Sequence, residues 1–172
     1  MKRVEEFNLK EVKLRKGKRE DIDQIWELEV ESRIYHKKLR KMLSKMNNSG
    51  ITLRFKKKWE KNFSSSFSKR NEVVFVAELN KKIVGYIIGN IFIWQWSDSP
   101  PRVGQINDIA VLRKYHRKNI GKILMKEFEK WAKVKKAYAL ALNVDSNNFS
   151  AIELYKINKF RNLCTYMIKK IK

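Results

Sequence analysis

The stretch Ile109-Ala-Val-Leu-Arg-Lys-Tyr-His-Arg-Lys-Asn-Ile-Gly-Lys-Ile-Leu124 runs from an apolar strand through a basic turn into the start of a helix. A helix start carries backbone N–H groups with no intrahelical acceptor. Here Arg113, Lys114, His116, Arg117, Lys118 and Lys122 surround those groups with positive charge, which is the environment a pyrophosphate needs. The chain reads as built to hold a phosphorylated cofactor. The competing reading is a solvated surface, because Lys and Arg flanking a helix start are common on so basic a chain. Metal chemistry finds no support in the residue pattern. His36 and His116 are 80 positions apart and Cys164 stands alone, so none of the usual ligand spacings occurs and no metal is expected. A lone cysteine also excludes an intramolecular disulfide, suits a reducing compartment and reads as a small apolar residue near the last strand.

The elements that must position this turn follow from hydrophobic periodicity. Val12-Lys-Leu-Arg15 alternates as a first strand. Lys16-Gly-Lys-Arg19 then turns into a helix whose start is acidic, Glu20-Asp-Ile-Asp23, and whose stripe Ile22, Ile25, Trp26, Leu28 and Glu29 should face a sheet. A second helical pattern runs from Ser32 to Met46, ending at the turn signal Asn47-Asn-Ser-Gly50, and a third covers Thr52 to Ser66. Glu72–Glu78 and Lys82–Ile93, joined by Leu79-Asn-Lys81, form an expected antiparallel hairpin, with Gly85 and Gly89 marking a bulge or a close backbone approach. After the loop Ser97-Asp-Ser-Pro-Pro101 comes a strand from Val103 to Val111. Then follow a helix from Gly121 to Lys136 with Ile120, Leu124, Phe128, Trp131 and Ala132 on one side, a strand from Tyr138 to Val144, a helix from Asn147-Asn148 to about Lys156, and a last strand from Phe160 to Ile171.

Composition bounds the function classes. At 172 residues the chain is read as a single domain over 1–172, with 43% hydrophobic residues to order it. No secretory leader or membrane-length apolar window is expected, so a soluble cytoplasmic protein with no membrane partner is. The formal charge of +22 is spread evenly: residues 1–70 hold 21 Lys+Arg against 10 Asp+Glu, and residues 71–172 hold 19 against 8. Such a surface could attract nucleic acid, an anionic cofactor or an acidic protein, and it could equally be a lysine-rich solvated exterior, the favoured reading.

Three stretches carry a family resemblance. Val73-Val-Phe-Val-Ala-Glu78 followed by Lys82-Ile-Val-Gly-Tyr86 forms a VFVAE…IVGY hairpin. Arg102-Val-Gly-Gln-Ile-Asn-Asp-Ile-Ala-Val111 is the strand entering the basic turn. Val144, Asn148, Ala151, Leu154, Tyr155 and Phe160 fit Val-x3-Asn-x2-Ala-x2-Leu-Tyr-x4-Phe. With its element order, the chain resembles the GNAT superfamily of N-acetyltransferases over nearly its whole length. The resemblance implies an α/β fold of α+β type: a mixed, mostly antiparallel central sheet of about six or seven strands, flanked by helices and splayed between strands 4 and 5. It also implies acetyl-CoA as co-substrate. Backbone groups of Ile109, Ala110 and Val111 would pair with the pantetheine arm, and the turn His116, Arg117, Lys118, Asn119, Ile120, Gly121 and Lys122 would hold the pyrophosphate, with His116 as a donor. Asn148 would touch the cofactor arm. The usual Arg/Gln-x-x-Gly-x-Gly/Ala appears here as His116-x-x-Asn119-x-Gly121, and Asn119 is the non-glycine type best suited to left-handed backbone. Lys159 also stands where Gly is usual.

The implied reaction is acetyl transfer to a primary amine by direct attack. An alkyl amine with a pKa near ~10 must lose a proton before or during attack. Asp108 is the candidate base or substrate carboxylate, although strand alternation could point it away from the channel or toward a lysine. Asn107 and Asn143 cannot act as bases. Tyr155 matches the family's general acid for the departing thiolate, with a core tyrosine as the competing reading. His36 falls where some members place a Tyr-His pair, and a structural histidine is the plainer reading. Partners are an amine acceptor, either a small molecule or a protein amine, and a homodimer mate for which Trp94-Gln-Trp96 leaves room; nucleic acid is not favoured. The alternative class is a non-catalytic basic module of this fold that binds nucleic acid or acyl-CoA.

Overall fold

The computed structural model describes residues 7–39, 51–95, 98–165 and 167. In chain order the elements are β1 (Lys13–Lys16), α1 (Ile22–Leu39), α2 (Leu53–Ser65), β2 (Glu72–Leu79), β3 (Lys82–Ile93), β4 (Arg102–Val111), α3 (Ile120–Val134), β5 (Ala139–Leu142) and α4 (Phe149–Ile157). The strands form one sheet in the order β1-β2-β3-β4-β5, antiparallel throughout except for the parallel β4–β5 pair that α3 connects. Asn80 and Lys81, with φ of 50° and 62°, make the tight turn that keeps β2 and β3 twisted together.

Alternation along the strands divides the core in two. Val73, Phe75, Ala77, Val84, Ile87 and Ile106 face α3, which covers them with Ile120, Leu124, Met125, Phe128 and Ala132. Val74, Val76, Ile83, Tyr86 and Ile88 face the other way, under Ile25 and Leu28 of α1 and Phe63 of α2. The start of α1 is tied to the sheet by Asp21, which accepts from both terminal nitrogens of Arg15 at 2.7 and 2.8 Å and from the Lys18 amide at 2.7 Å. α2 begins at Thr52, whose Oγ1 accepts from the Phe55 amide.

Several expectations change. The first two helical patterns merge into one helix through Leu39, because the apolar stripe continues without a breaker; residues 40–50, with the expected turn at Asn47–Gly50, lie outside the described residues. The sheet has five strands among the described residues, not six or seven. Over 160–165 the expected last strand is absent: the sheet ends at β5, only four residues long, and Arg161-Asn162 interrupts the apolar alternation. Cys164 is accordingly exposed rather than packed beside a strand. Trp96, half of the suggested dimer contact, lies outside the described residues. No helix among the described residues is long and apolar enough to cross a membrane.

One irregularity governs the site. Ile88 pairs with Asp108 and Gly89 with Ile106, so Asn107 is an extra residue bulged out of β4. A Cβ on Gly89, across from the bulge, would overlap the Gln105 carbonyl oxygen and come within 2.5 Å of the Phe128 ring, so no other residue fits between β4 and α3 here. Gly89→Ala should cost about 3 kcal/mol of stability, read as a lower denaturant midpoint at unchanged slope. A midpoint within error of the parent would show that this contact relaxes freely.

Candidate active site

The bulge sets which way Asp108 points. Ile106 faces the α3 core, and unbroken alternation would send Asp108 to the same face; the extra residue turns it to the face of Tyr86, α1 and α2. Asn107 stays exposed and donates from Nδ2 to Asn90 Oδ1 at 2.8 Å. The second consequence concerns the neighbouring strand. β5 pairs with β4 only from Val103–Ala139 to Ile106–Leu142, so the β5-side edge of Asn107–Val111 has no strand partner. The splay expected between strands 4 and 5 lies here.

Into this opening runs a cavity of about 690 Å³. Its walls come from α1 (Glu29, Arg33, His36), α2 (Phe55, Trp59, Phe63), β4 (Asn107, Asp108, Ile109), the β5–α4 connection (Asn143, Asp145, Asn148) and α4 (Tyr155). It thus brings Asp108, Tyr155, Asn148 and His36 together. Burial, and then the charge of Glu29, push the Asp108 carboxyl up to about 7, a value at which a carboxylate exchanges protons near neutrality. Burial also raises the Tyr155 phenol to about 12, with the Asp108 charge adding to it, so the hydroxyl keeps its hydrogen at neutral pH. Tyr155 is held against Phe160 and on a helix that approaches α3 closely, where a Cβ on Gly121 would sit 3.2 Å from Leu154 Cδ2.

The basic turn has the shape that the sequence suggests. Arg117 and Asn119 are both left-handed, with φ of 59° and 62°, and Asn119 precedes α3 without capping it through its side chain. Ile123 donates the first bond of the helix, to the Asn119 carbonyl, which leaves the amides of Ile120, Gly121 and Lys122 without intrahelical acceptors. Arg117 and Lys118 are exposed around them. The His116 ring closes the turn: its Nε2 lies 2.9 Å from the Val111 carbonyl oxygen, so that nitrogen carries the hydrogen and the Val111 carbonyl is already engaged. Ile109 and Val111 pack toward the α3 core and Ala110 toward α1. Asn148, only 7% exposed, caps α4 by accepting from the Ala151 amide through Oδ1.

Two residues in the site are given no part in the proton chemistry by the sequence, although Glu29, with Glu27 and Glu31, reads there as an acid that could offset the basic surface near the pocket. Glu29 is 4% exposed and Tyr86 is fully buried, and they meet Asp108 in one hydrogen-bonded cluster. A signal for Glu29 was present, since it is the one acid within the apolar stripe of α1, and an acid on a buried face needs a partner. Tyr86 reads as a strand aromatic; its polar end acquires meaning only from what lies above it.

Comparison with known proteins places the fold. The Acetyltransferase (GNAT) family model matches residues 36–160. Among solved structures, a mutant of the BH1408 protein from Bacillus halodurans is 16% identical with a TM-score of 0.80, over 93% of this chain and 99% of that one. An aminoglycoside N-acetyltransferase in complex with CoA is 14% identical with a TM-score of 0.67, over 94% and 95% of the two chains. An aminoglycoside acetyltransferase from an uncultured soil metagenomic sample, in complex with sisomicin, is 19% identical with a TM-score of 0.65, over 95% and 98%. No curated protein matches by sequence. At these identities the structures speak for the fold, and it is the match over 36–160, more than half of the sequence, that makes the chain a member of the GNAT acetyltransferase family.

Proposed function

We propose that the protein transfers the acetyl group of acetyl-CoA to a primary amine by direct attack of the amine, with Asp108 accepting the amine's proton and Tyr155 donating to the departing sulfur. The observation that carries this reading is the meeting of the Asp108 carboxyl and the Tyr155 phenol in one cavity beside the β4 edge that has no strand partner, with burial pushing the carboxyl up to about 7 and the phenol to about 12. Bound acetyl-CoA supplies an activated acyl carbon, so that the amine becomes an amide and CoA leaves as its thiol. The residues present fit such a group. Open amides at Ile120, Gly121 and Lys122 with Arg117 and Lys118 suit its diphosphate, and the edge of β4 that has no strand partner, short of the Val111 carbonyl held by His116, suits its amide-bearing arm. His116 serves by holding the turn, and Asn148 by fixing the start of the helix that bears Tyr155.

The acceptor is read as a small molecule. Aminoglycoside acetyltransferases among the structural neighbours support small amines, and the aromatic wall of Phe55, Trp59 and Phe63 favours an amine carrying an apolar body. Asp108 must be ionised to take a proton, so turnover should rise with pH up to about 7 and then level, falling about tenfold per pH unit below it.

Calorimetry with CoA and acetyl-CoA, followed by thiol release with an arylalkylamine, an aminoglycoside and a lysine peptide, tests the reading; absence of acetyl-CoA binding overturns it. Tyr155→Phe should lower turnover about a hundredfold while acetyl-CoA affinity stays within about twofold. Unchanged turnover would remove Tyr155 from the reaction. At the turn, Asn119→Gly should preserve acetyl-CoA affinity, whereas Asn119→Val, forced into left-handed backbone, should weaken it about tenfold. Equal affinities for both would show that the bend does not hold the diphosphate.

A further inference from the structure

Glu29 of α1, Tyr86 of β3 and Asp108 of β4 meet where the cavity reaches the sheet. Tyr86 Oη lies 2.9 Å from Glu29 Oε2 and 2.5 Å from Asp108 Oδ2. A phenol has one hydrogen and so donates to only one carboxyl. The other contact is a hydrogen bond only if that carboxyl itself bears a proton; with both ionised, two oxygen lone pairs face each other at a fully buried hydroxyl. The geometry therefore counts one proton beyond the phenol's own. Its place follows from the cations. Glu29 Oε1 accepts from Arg33 Nε at 2.5 Å, and the Arg33 guanidinium lies 4.4 Å from the centre of the Phe55 ring, so the cation of the cluster sits beside Glu29 and the extra proton is assigned to Asp108. Among the described residues no ion pair involves Asp108.

We propose that Glu29, acting through the Tyr86 hydroxyl, is a positioning residue for the proton that Asp108 exchanges with the acceptor amine, the two carboxyls sharing one proton across the phenol. This rests on the reading of Asp108 as the acceptor of the amine's proton. While Asp108 is ionised, the phenol hydrogen turns to it and Glu29 keeps Arg33. When Asp108 takes the proton from the amine nitrogen, it donates that hydrogen to Tyr86 Oη, and the phenol's own hydrogen turns back to Glu29. No heavy atom needs to move, and the proton leaves to solvent after the product does.

Among the described residues, the titratable groups that line the cavity with Asp108 are Glu29, Arg33, His36 and Lys37 from α1, Asp145 from the β5–α4 connection and Tyr155 from α4, and Tyr86 of β3 bonds to Asp108 from beneath; α2 contributes aromatic rings alone. Of these, Glu29 contributes the negative charge joined to Asp108 through a shared hydroxyl, and that charge opposes ionisation of Asp108.

Carbon-13 NMR of the ligand-free protein, labelled at aspartate and glutamate carboxyls, tests this without any acceptor. The chain has five aspartates, and Asp108→Asn identifies the signal of interest. In the parent protein that signal should titrate near pH 7, and one glutamate carboxyl should respond at the same pH. Glu29→Gln should lower the Asp108 midpoint by at least about one pH unit, a tenfold change in its ionisation constant, while Tyr86→Phe should raise it by removing the donor to the ionised form. A parent protein in which no glutamate responds in step with Asp108 overturns the proposal even if neither variant folds, as does a Glu29→Gln midpoint unchanged or raised. In turnover, the acid limb of Glu29→Gln should move with the NMR midpoint while the KM for acetyl-CoA stays unchanged. Absent transfer with the titration intact would sink only the functional reading, and transfer that persists without the linked titration would sink only the shared proton.

Discussion

The architecture of the site depends on a limit to what one strand can do. Over Val103–Ile106, β4 bonds to β3 on one edge and β5 on the other, but β5 ends at Leu142 and β4 continues for five residues without it. The extra residue at Asn107 falls at that transition. From one event follow the opening between the strands, the free backbone edge leading to the basic turn, and the rotation of Asp108 onto the face where α1 and α2 lie. Gly89 tolerates the event from the partner strand, because any side chain there would meet β4 and Phe128. A local departure from regular pairing is thus the source of both an anion-seeking bend and a buried acid.

The two faces of the sheet have different work. The α3 face is apolar throughout and carries the packing that holds β3 and β4 in register, with Phe128 and Leu124 fully buried. The opposite face gives up part of its apolar area to Glu29, Tyr86 and Asp108. Each of those polar atoms would be costly if alone, and the cluster persists because every member has a partner and Arg33 balances the remaining charge. The overall excess of +22 therefore says little about the cavity, whose inner end is acidic.

Much of the fold was legible because long amphipathic patterns leave few choices. The α3 stripe of Ile120, Leu124, Phe128 and Ala132 is buried as its spacing requires, the β2–β3 hairpin has the predicted limits to within a residue or so, and Asn119 takes the left-handed backbone expected of it. Over 160–165 the expected strand is missing because alternation shows only that a segment could pair; whether it does depends on an edge long enough to receive it, and β5 is short. The two helical patterns before residue 47 form one helix through Leu39 because no Gly or Pro breaks the chain between Glu29 and Ser32, and the turn signal that ends the second pattern lies outside the described residues.

By itself, the sequence determined which segments alternate and which turn, and it placed a basic bend before α3 and a tyrosine seven residues after Asn148. Those are properties of neighbours along the chain, governed by backbone geometry and by periods of two and 3.6 residues. The direction of Asp108 could not be read, since a single bulged residue reverses every side chain beyond it and leaves no mark in composition. Nor could the Glu29–Tyr86–Asp108 cluster: its members are 57 and 22 positions apart, and only the packing of α1 across β3 and β4 brings three polar groups within reach of one hydrogen.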